Sequence, residues 1–180
     1  ALDALTSGDE NIGIGWAAGS AISSGSYNTV IGSQALISGN GLYNVAIGRT
    51  ALNATSGSRN TGIGSSAGQI IAAGAYNTCL GFEAGNNITS GDGNVIIGSV
   101  DADSATGDAQ LKITSYDGTT TVNWINGDSS GNLIFPADVT LGDDLVLDSD
   151  SAVLKFGDDQ DVTLTHTDGT GLTLNSTSKL

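Results

Sequence analysis

An asparagine recurs through the first hundred residues at spacings of 17, 16, 16, 17 and 17: Asn11, Asn28, Asn44, Asn60, Asn77 and Asn94. Three places after each stands Ile14, Ile31, Ile47, Ile63, Leu80 or Ile97, and the next residue is always glycine: Gly15, Gly32, Gly48, Gly64, Gly81, Gly98. Three places before each asparagine is another glycine: Gly8, Gly25, Gly41, Gly57, Gly74, Gly91. Seven after it comes Ala18, Ala35, Ala51, Ala67 or Ala84, until Asp101 takes the sixth slot. A fixed period of this length marks a stacked array of identical units.

The units are too short and glycine-rich for helices, and the Thr, Val and Ile after each asparagine favour strands. Alternate side chains of a strand point to opposite faces. One face therefore carries the Ile column and the residues two before it (Ile12, Thr29, Val45, Thr61, Thr78, Val95). The other carries Gly13, Val30, Ala46, Gly62, Cys79 and Ile96. Both faces are apolar or small, so both are expected to be covered. The glycine after Ile is expected at positive φ in a turn, where a side chain is disfavoured. The repeated alanine implies close approach of a neighbouring element. Stacked at about 4.8 Å per strand, six rungs rise roughly 29 Å. Each turn encloses a very thin core, so the second covered face points to packing between chains.

The Asn-Thr-Val-Ile-Gly and Asn-Val-Ala-Ile-Gly units, with alanine a few residues on, resemble the head repeats of trimeric autotransporter adhesins. The resemblance spans residues 1–100 and implies a left-handed parallel β-roll with three chains side by side. Units in that family are usually shorter, so the extra residues here are expected to lengthen one loop. Similar units occur in fibre proteins of tailed bacteriophages. Other solenoids fit less well. A hexapeptide helix needs a coil length divisible by six, calcium-binding nonapeptides need a Gly-Gly-x-Gly-x-Asp signature that is absent, and an ice-binding face needs a regular threonine array.

Tyr27, Tyr43 and Tyr76 each precede an asparagine. They suit either a sugar-binding aromatic ladder or packing between rungs on the Ile side, and the second is the expectation. Trp16 and Phe82 follow a turn glycine, in a slot otherwise filled by Ser33, Arg49, Ser65 and Ser99. They are expected to be exposed, as contacts for a partner or a sugar. Cys79, the single cysteine, excludes an intrachain disulfide and reads as a small packing residue.

The formal net charge is −14, and 14 of the 19 acids lie beyond residue 100. Nucleic acid, which is bound through Lys and Arg, is excluded as a partner. No run of about 18 apolar residues offers a membrane span. Methionine is absent, and Ala1-Leu2 match the Ala-Leu slot of Ala35-Leu36 and Ala51-Leu52, so further repeats are expected upstream.

Residues 101–108 read as an acidic linker; Ala105 and Lys112 break an EF-hand pattern, leaving at most a loose cation site at Asp101 and Asp103. Leu111 and Ile113 alternate up to Tyr116, Asp117-Gly118 signals a hairpin, and Val122 and Trp124 alternate on the return. Asn126-Gly127 and Ser130-Gly131 mark turns, and Leu133-Ile134-Phe135 reads as a short buried strand closed by Pro136. Residues 101–136 are thus expected to be a linker and a small hairpin unit capping the solenoid.

In residues 137–180, Leu141-Gly142-Asp143-Asp144 returns as Phe156-Gly157-Asp158-Asp159. Strands this short cannot build a monomeric core of much size, so an acidic, interlocked β shaft is expected, continuing beyond Leu180. Asp161-Val-Thr-Leu-Thr-His166 and the following Gly-Leu-Thr-Leu-Asn175 resemble shaft sequences of marine, especially cyanobacterial, phage tail fibres. On that resemblance, His166, on the Val162 and Leu164 side, would bring three imidazoles to a three-fold axis, suited to a transition metal. The related fibres use a His-x-His pair, whereas the flanking slots here hold Leu164 and Asp168.

No serine–histidine–acid set can be assembled, because His166 stands alone between Thr165 and Thr167. Paired carboxylates could serve a glycosidase, but Asp143-Asp144 and Asp158-Asp159 sit at repeated turns. The expectation is an all-β, elongated homotrimer: a solenoid of six full repeats plus a partial one over residues 1–100, then the cap and shaft. Its expected role is structural, without enzymatic activity or cofactor, as a segment of a virion tail fibre supporting host adsorption. Expected partners are other tail or fibre proteins and host cell-surface polysaccharide or protein, with no membrane insertion. A bacterial surface adhesin is the alternative, and a polysaccharide-degrading tailspike the third reading.

Overall fold

A computed structural model describes residues 1–141. The expected shaft, the paired Asp residues and His166 lie outside the described residues, apart from residues 137–141, which carry no strand. The described chain is all-β, with nine strands in one sheet in sequence order. Each asparagine launches a three-residue strand: β1 (Ile12–Ile14), β2 (Thr29–Ile31), β3 (Val45–Ile47), β4 (Thr61–Ile63), β5 (Thr78–Leu80) and β6 (Val95–Ile97). Each pairs in parallel with the next, with equivalent residues in register, so one strand per coil builds a β-solenoid.

The two strand faces have different fates. The middle residues Val30, Ala46, Cys79 and Ile96 point inward and are fully buried with Ala18, Ala35, Ala51, Ala67 and Ala84. The Ile column and its partner column point outward. The interior is narrow: each coil fills it with one alanine, the inward middle residue of its strand and one larger aliphatic side chain.

Coils of 16 and 17 residues keep the same strand register because the extra residue falls in the arc after the alanine. The two types fill the core differently. The 17-residue coils place glycine directly after alanine (Gly19, Gly68, Gly85) and bury an isoleucine three places further on (Ile22, Ile71, Ile88). The 16-residue coils bury a leucine directly after alanine (Leu36, Leu52), and Gly39 or Thr55 stands three further on. A Cβ at Gly68 would lie 2.8 Å from Ile71 Cδ1, so the two solutions compete for one volume. Gly68→Leu should therefore lower stability by about 1–3 kcal/mol through overpacking. Adding Ile71→Thr, which copies the Leu52 and Thr55 arrangement, should recover part of the loss in urea denaturation.

The coils of Asn11, Asn44, Asn60 and Asn77 each turn through four left-handed positions, and that of Asn28 through five, Gly39 (φ 115) being the extra one. In the coil of Asn44 these are Tyr43 (φ 60), Gly48 (φ 134), Thr50 (φ 55) and Leu52 (φ 48). Three of the four carry side chains in the αL basin, while the fourth, in every coil, is the glycine after Ile, at φ 106 to 135. The positive φ expected there is present. The glycine three before each asparagine has a different cause: its φ is ordinary, but a Cβ would strike the glycine carbonyl of the next coil, as at Gly25 against Gly41 O (2.7 Å).

Residues 101–108, read in sequence as a linker, continue the winding, which runs on to Gln110. Thr89 N–H donates to Ala105 O (2.8 Å), and Val95 N–H to Gln110 O (2.8 Å). β7 (Leu111–Tyr116) then pairs in parallel with β6 and antiparallel with β8 (Thr121–Gly127), which pairs antiparallel with β9 (Leu133–Ile134). Two sequence readings are corrected here. Asn126-Gly127 is not a turn but the end of β8; the reversal is at Asp128, whose carboxylate accepts from Ser130 N–H (2.9 Å), Asn132 N–H (3.1 Å) and Asn132 Nδ2 (2.8 Å). Leu133 and Ile134 form a short edge strand followed by Phe135, but all three side chains are exposed, because nothing among the described residues covers β9.

The hairpin turn is built on Asp117, which accepts from Thr120 N–H (2.8 Å) and Thr119 N–H (2.9 Å). Those donors hold the Asp117 carboxyl below the usual carboxylate range, and the Asn132 amide does the same for Asp128. The stabilisation is present above the unfolded carboxylate value and is lost as pH falls through the lowered folded value. Hydrogen exchange at Thr120 and Asn132 should quicken relative to the coil amides on acidification below about pH 4.

Candidate functional surfaces

The asparagines form a continuous buried ladder. Asn28 N–H donates to Asn11 Oδ1 (3.0 Å), Asn44 N–H to Asn28 Oδ1 (2.9 Å), Asn60 N–H to Asn44 Oδ1 (2.9 Å), and so on to Gln110 N–H on Asn94 Oδ1 (2.9 Å). The side-chain amides of Asn11, Asn28, Asn44, Asn60 and Asn77 each donate to the glycine carbonyl of the next coil, as Asn44 Nδ2 to Gly57 O (3.0 Å) and Asn60 Nδ2 to Gly74 O (2.9 Å). This explains why asparagine and the glycine three before it recur together. The glycine lets two backbones approach, and the amide satisfies a buried carbonyl that the turn leaves without a partner. The role is structural. Its sequence signal was a polar residue held constant among apolar ones, which at spacings of 16 and 17 must stack on its own kind.

The outward strand face is a candidate contact surface. Ile14, Ile63 and Leu80 are exposed, Ile31, Ile47 and Ile97 half-buried, and Ile12 is half exposed (51%). An apolar column thus runs along six coils beside a second in which Ile12, Val45 and Val95 alternate with threonines.

A second surface is the column just before the asparagines. Tyr27 and Tyr43 stack with centroids 4.8 Å apart and planes 3° from parallel. The Arg59 guanidinium continues the stack, 5.3 Å from the ring centroids of both Tyr43 and Tyr76. The tyrosines pack between rungs, with an arginine interleaved that sequence reading did not place among them.

Trp16 and Phe82 are both exposed, at 71% and 57%. They occupy the same slot of coils four steps apart, roughly 19 Å at the strand spacing, so they do not form one patch. Cys79 is fully buried against Gly68 and Gly85, and burial pushes its thiol up to about 12. It should resist alkylation at pH 8 in the folded protein and react stoichiometrically once denatured. Because the folded value lies above the unfolded one, its contribution to stability is complete below about pH 9 and lost as pH rises toward 12.

Where the winding changes path after Ser99, Glu83, Asn86, Ser99, Val100 and Asp101 line a small open depression. Asp103 pairs with Lys112 Nζ (2.5 Å). Among the described residues, no three His, Cys, Asp or Glu side chains gather where they could hold a metal ion. Set against protein-family models, curated proteins and solved structures, the chain matches none of them.

Proposed function

We propose that this chain is a structural segment of a homotrimeric fibre, a stiff rod in a phage tail that supports host recognition and adsorption. The observation that carries this reading is the outward face of β1 to β6, where Ile12, Ile14, Ile63 and Leu80 stand exposed and the rest of two mostly β-branched columns stands half-buried on a single chain. Contiguous apolar surface of this kind marks a protein–protein contact, and a solenoid edge repeats it over roughly 29 Å. Three as the number of chains, and the tail as the location, rest on the resemblance of the repeats and of the acidic C-terminal segment to known fibres. The partners in this reading are two further copies, other tail or fibre proteins, and a host surface polysaccharide or protein.

Light scattering of the purified chain tests it: the expected mass is three times 17.9 kDa, and a compact monomer overturns the reading. Ile47→Lys with Ile63→Lys should break the assembly while retaining the β circular dichroism of the coil, since both side chains point away from the core. A bacterial trimeric surface adhesin is the second reading, favoured by the Asn-Val-Ala-Ile-Gly units. A membrane-anchor β-barrel encoded downstream supports the adhesin, and neighbouring tail genes support the fibre. Unchanged capsule polysaccharide after incubation with the protein removes the depolymerase reading.

A further inference from the structure

The stacked column Tyr27, Tyr43, Arg59, Tyr76 stops because the next coil supplies Gly93. The column itself continues. Tyr76 N–H donates to Ser58 O (3.1 Å), Gly93 N–H to Ala75 O (2.9 Å) and Ala109 N–H to Asp92 O (2.8 Å), the same bond in successive coils. Gly93 (φ 67) shares the left-handed conformation of Tyr76 (φ 60). A Cβ built on Gly93 meets nothing within 4 Å. One rung is therefore missing between positions 76 and 109 of the column, which are two strand spacings apart, about 9.6 Å. That gap accepts one planar group. Arg59 covers one face of Tyr76, and the opposite face turns toward the gap, with the residue 60% exposed.

The residues beside the column indicate the charge of the occupant. Next to Tyr27, Tyr43, Arg59 and Tyr76 stand Ser26, Leu42, Ser58 and Ala75, all uncharged. Next to the missing rung and the one after it stand Asp92 and Asp108, both exposed. Each carboxylate is held by one oxygen, Asp92 Oδ1 accepting from Ala75 N–H (2.7 Å) and Asp108 Oδ1 from Asp92 N–H (2.8 Å). Each keeps a second oxygen for a ligand. A flat cation that stacks on tyrosine and pairs with carboxylates is a guanidinium, the group that the chain itself inserts between Tyr43 and Tyr76.

We propose that the gap at Gly93 binds an arginine side chain presented by a partner protein, stacked on Tyr76 and paired with Asp92 and Asp108. Tyr76, Asp92, Gly93 and Asp108 all belong to one chain.

The test uses the whole chain and a capped Gly-Arg-Gly peptide, with the citrulline analogue and methyl glycosides as controls, read by NMR at the Tyr76 ring resonances. The arginine peptide should perturb them, and citrulline, flat but uncharged, should bind about three- to tenfold more weakly. Gly93→Tyr should abolish binding while leaving the melting temperature unchanged or raised, because a tyrosine there completes the column at a φ that its neighbours already adopt. Asp92→Asn with Asp108→Asn should weaken binding and reduce its salt dependence. No perturbation by the arginine peptide, equal binding of citrulline, a glycoside binding in its place, or undiminished binding to a correctly folded Gly93→Tyr chain would each overturn the assignment.

Discussion

Asn60→Asp is expected to destabilise the folded coil by roughly 3–5 kcal/mol at neutral pH, the range for an uncompensated buried charge. Asn60 is fully buried, and its Oδ1 accepts from Asn77 N–H (3.0 Å) and Asn77 Nδ2 (3.1 Å). An aspartate preserves that acceptor. On the other side, however, Nδ2 donates to Gly74 O (2.9 Å), and an aspartate sets a second carboxylate oxygen against that carbonyl. Two acceptors then face each other in a site closed to water. Desolvation raises the pKa of the buried carboxyl above its unfolded value of about 3.9. The variant's deficit should therefore be small below about pH 4, where the protonated carboxyl can donate to Gly74 O, and should grow as pH rises through the folded value. Urea denaturation of variant and wild type from pH 4 to 8 reads this directly. Equal stability at pH 7 would show that the ladder does not hold the coils together. Asn60→Ala removes the charge problem but orphans Asn77 N–H and Gly74 C=O, at about 1–3 kcal/mol each, and should show no such pH dependence.

Gly48→Val should be the second most damaging change. Gly48 has φ 134, outside the αL basin that Tyr43 and Thr50 occupy and in territory where a β-branched residue is strained by about 1–3 kcal/mol. Packing adds to the strain: a Cβ there would press on the Gly64 carbonyl, with Gly64 C at 2.6 Å and Ser65 N at 3.1 Å. Both are backbone atoms of the next coil and cannot move aside without opening the strand spacing. The loss should exceed the strain alone, and the melting transition should fall by several degrees or more. Thr50→Gly is the matched control. It replaces a non-glycine αL residue in the same turn, where left-handed geometry costs a side chain roughly 1–2 kcal/mol. It should be far milder than Gly48→Val, although it gives up the hydroxyl contact between Thr50 and Ser66 (3.0 Å). A Gly48→Val protein melting with the wild type would overturn this account of the turn.

The Gly93 column adds a comparison within the same chain. Tyr27, Tyr43, Arg59 and Tyr76 sit at φ 60 to 61, so the column tolerates large side chains at positive φ. The glycine at position 93 is therefore not demanded by the backbone, unlike Gly48, and what it contributes is space.

The parallel array, its period, the strand after each asparagine and the positive φ at Gly15, Gly32, Gly48, Gly64, Gly81 and Gly98 were all legible in the sequence. Each is a local property repeated at fixed spacing, and a residue such as Ile47 in a β-branched run before glycine says much about its own backbone. Which strand face closes on the core was decided only by the tertiary structure. The sequence shows two apolar faces, and the more hydrophobic one, with Ile14, Ile31 and Ile47, is the one that stays outside. Hydrophobicity ranks the faces, but the direction in which each coil closes puts Val30, Ala46, Cys79 and Ile96 inside, where they share the space with the alanine column and with Leu52 or Ile71. The same holds for the two glycine columns, equally constant in sequence. Gly48 is required by its own φ, whereas Gly25 and its equivalents are required by a carbonyl one coil away. The Asn60 ladder and the Leu52 or Ile71 choice of core filling likewise depend on residues 16 or 17 places apart in the chain. Winding makes them neighbours, and only then do their hydrogen bonds and shared volumes exist.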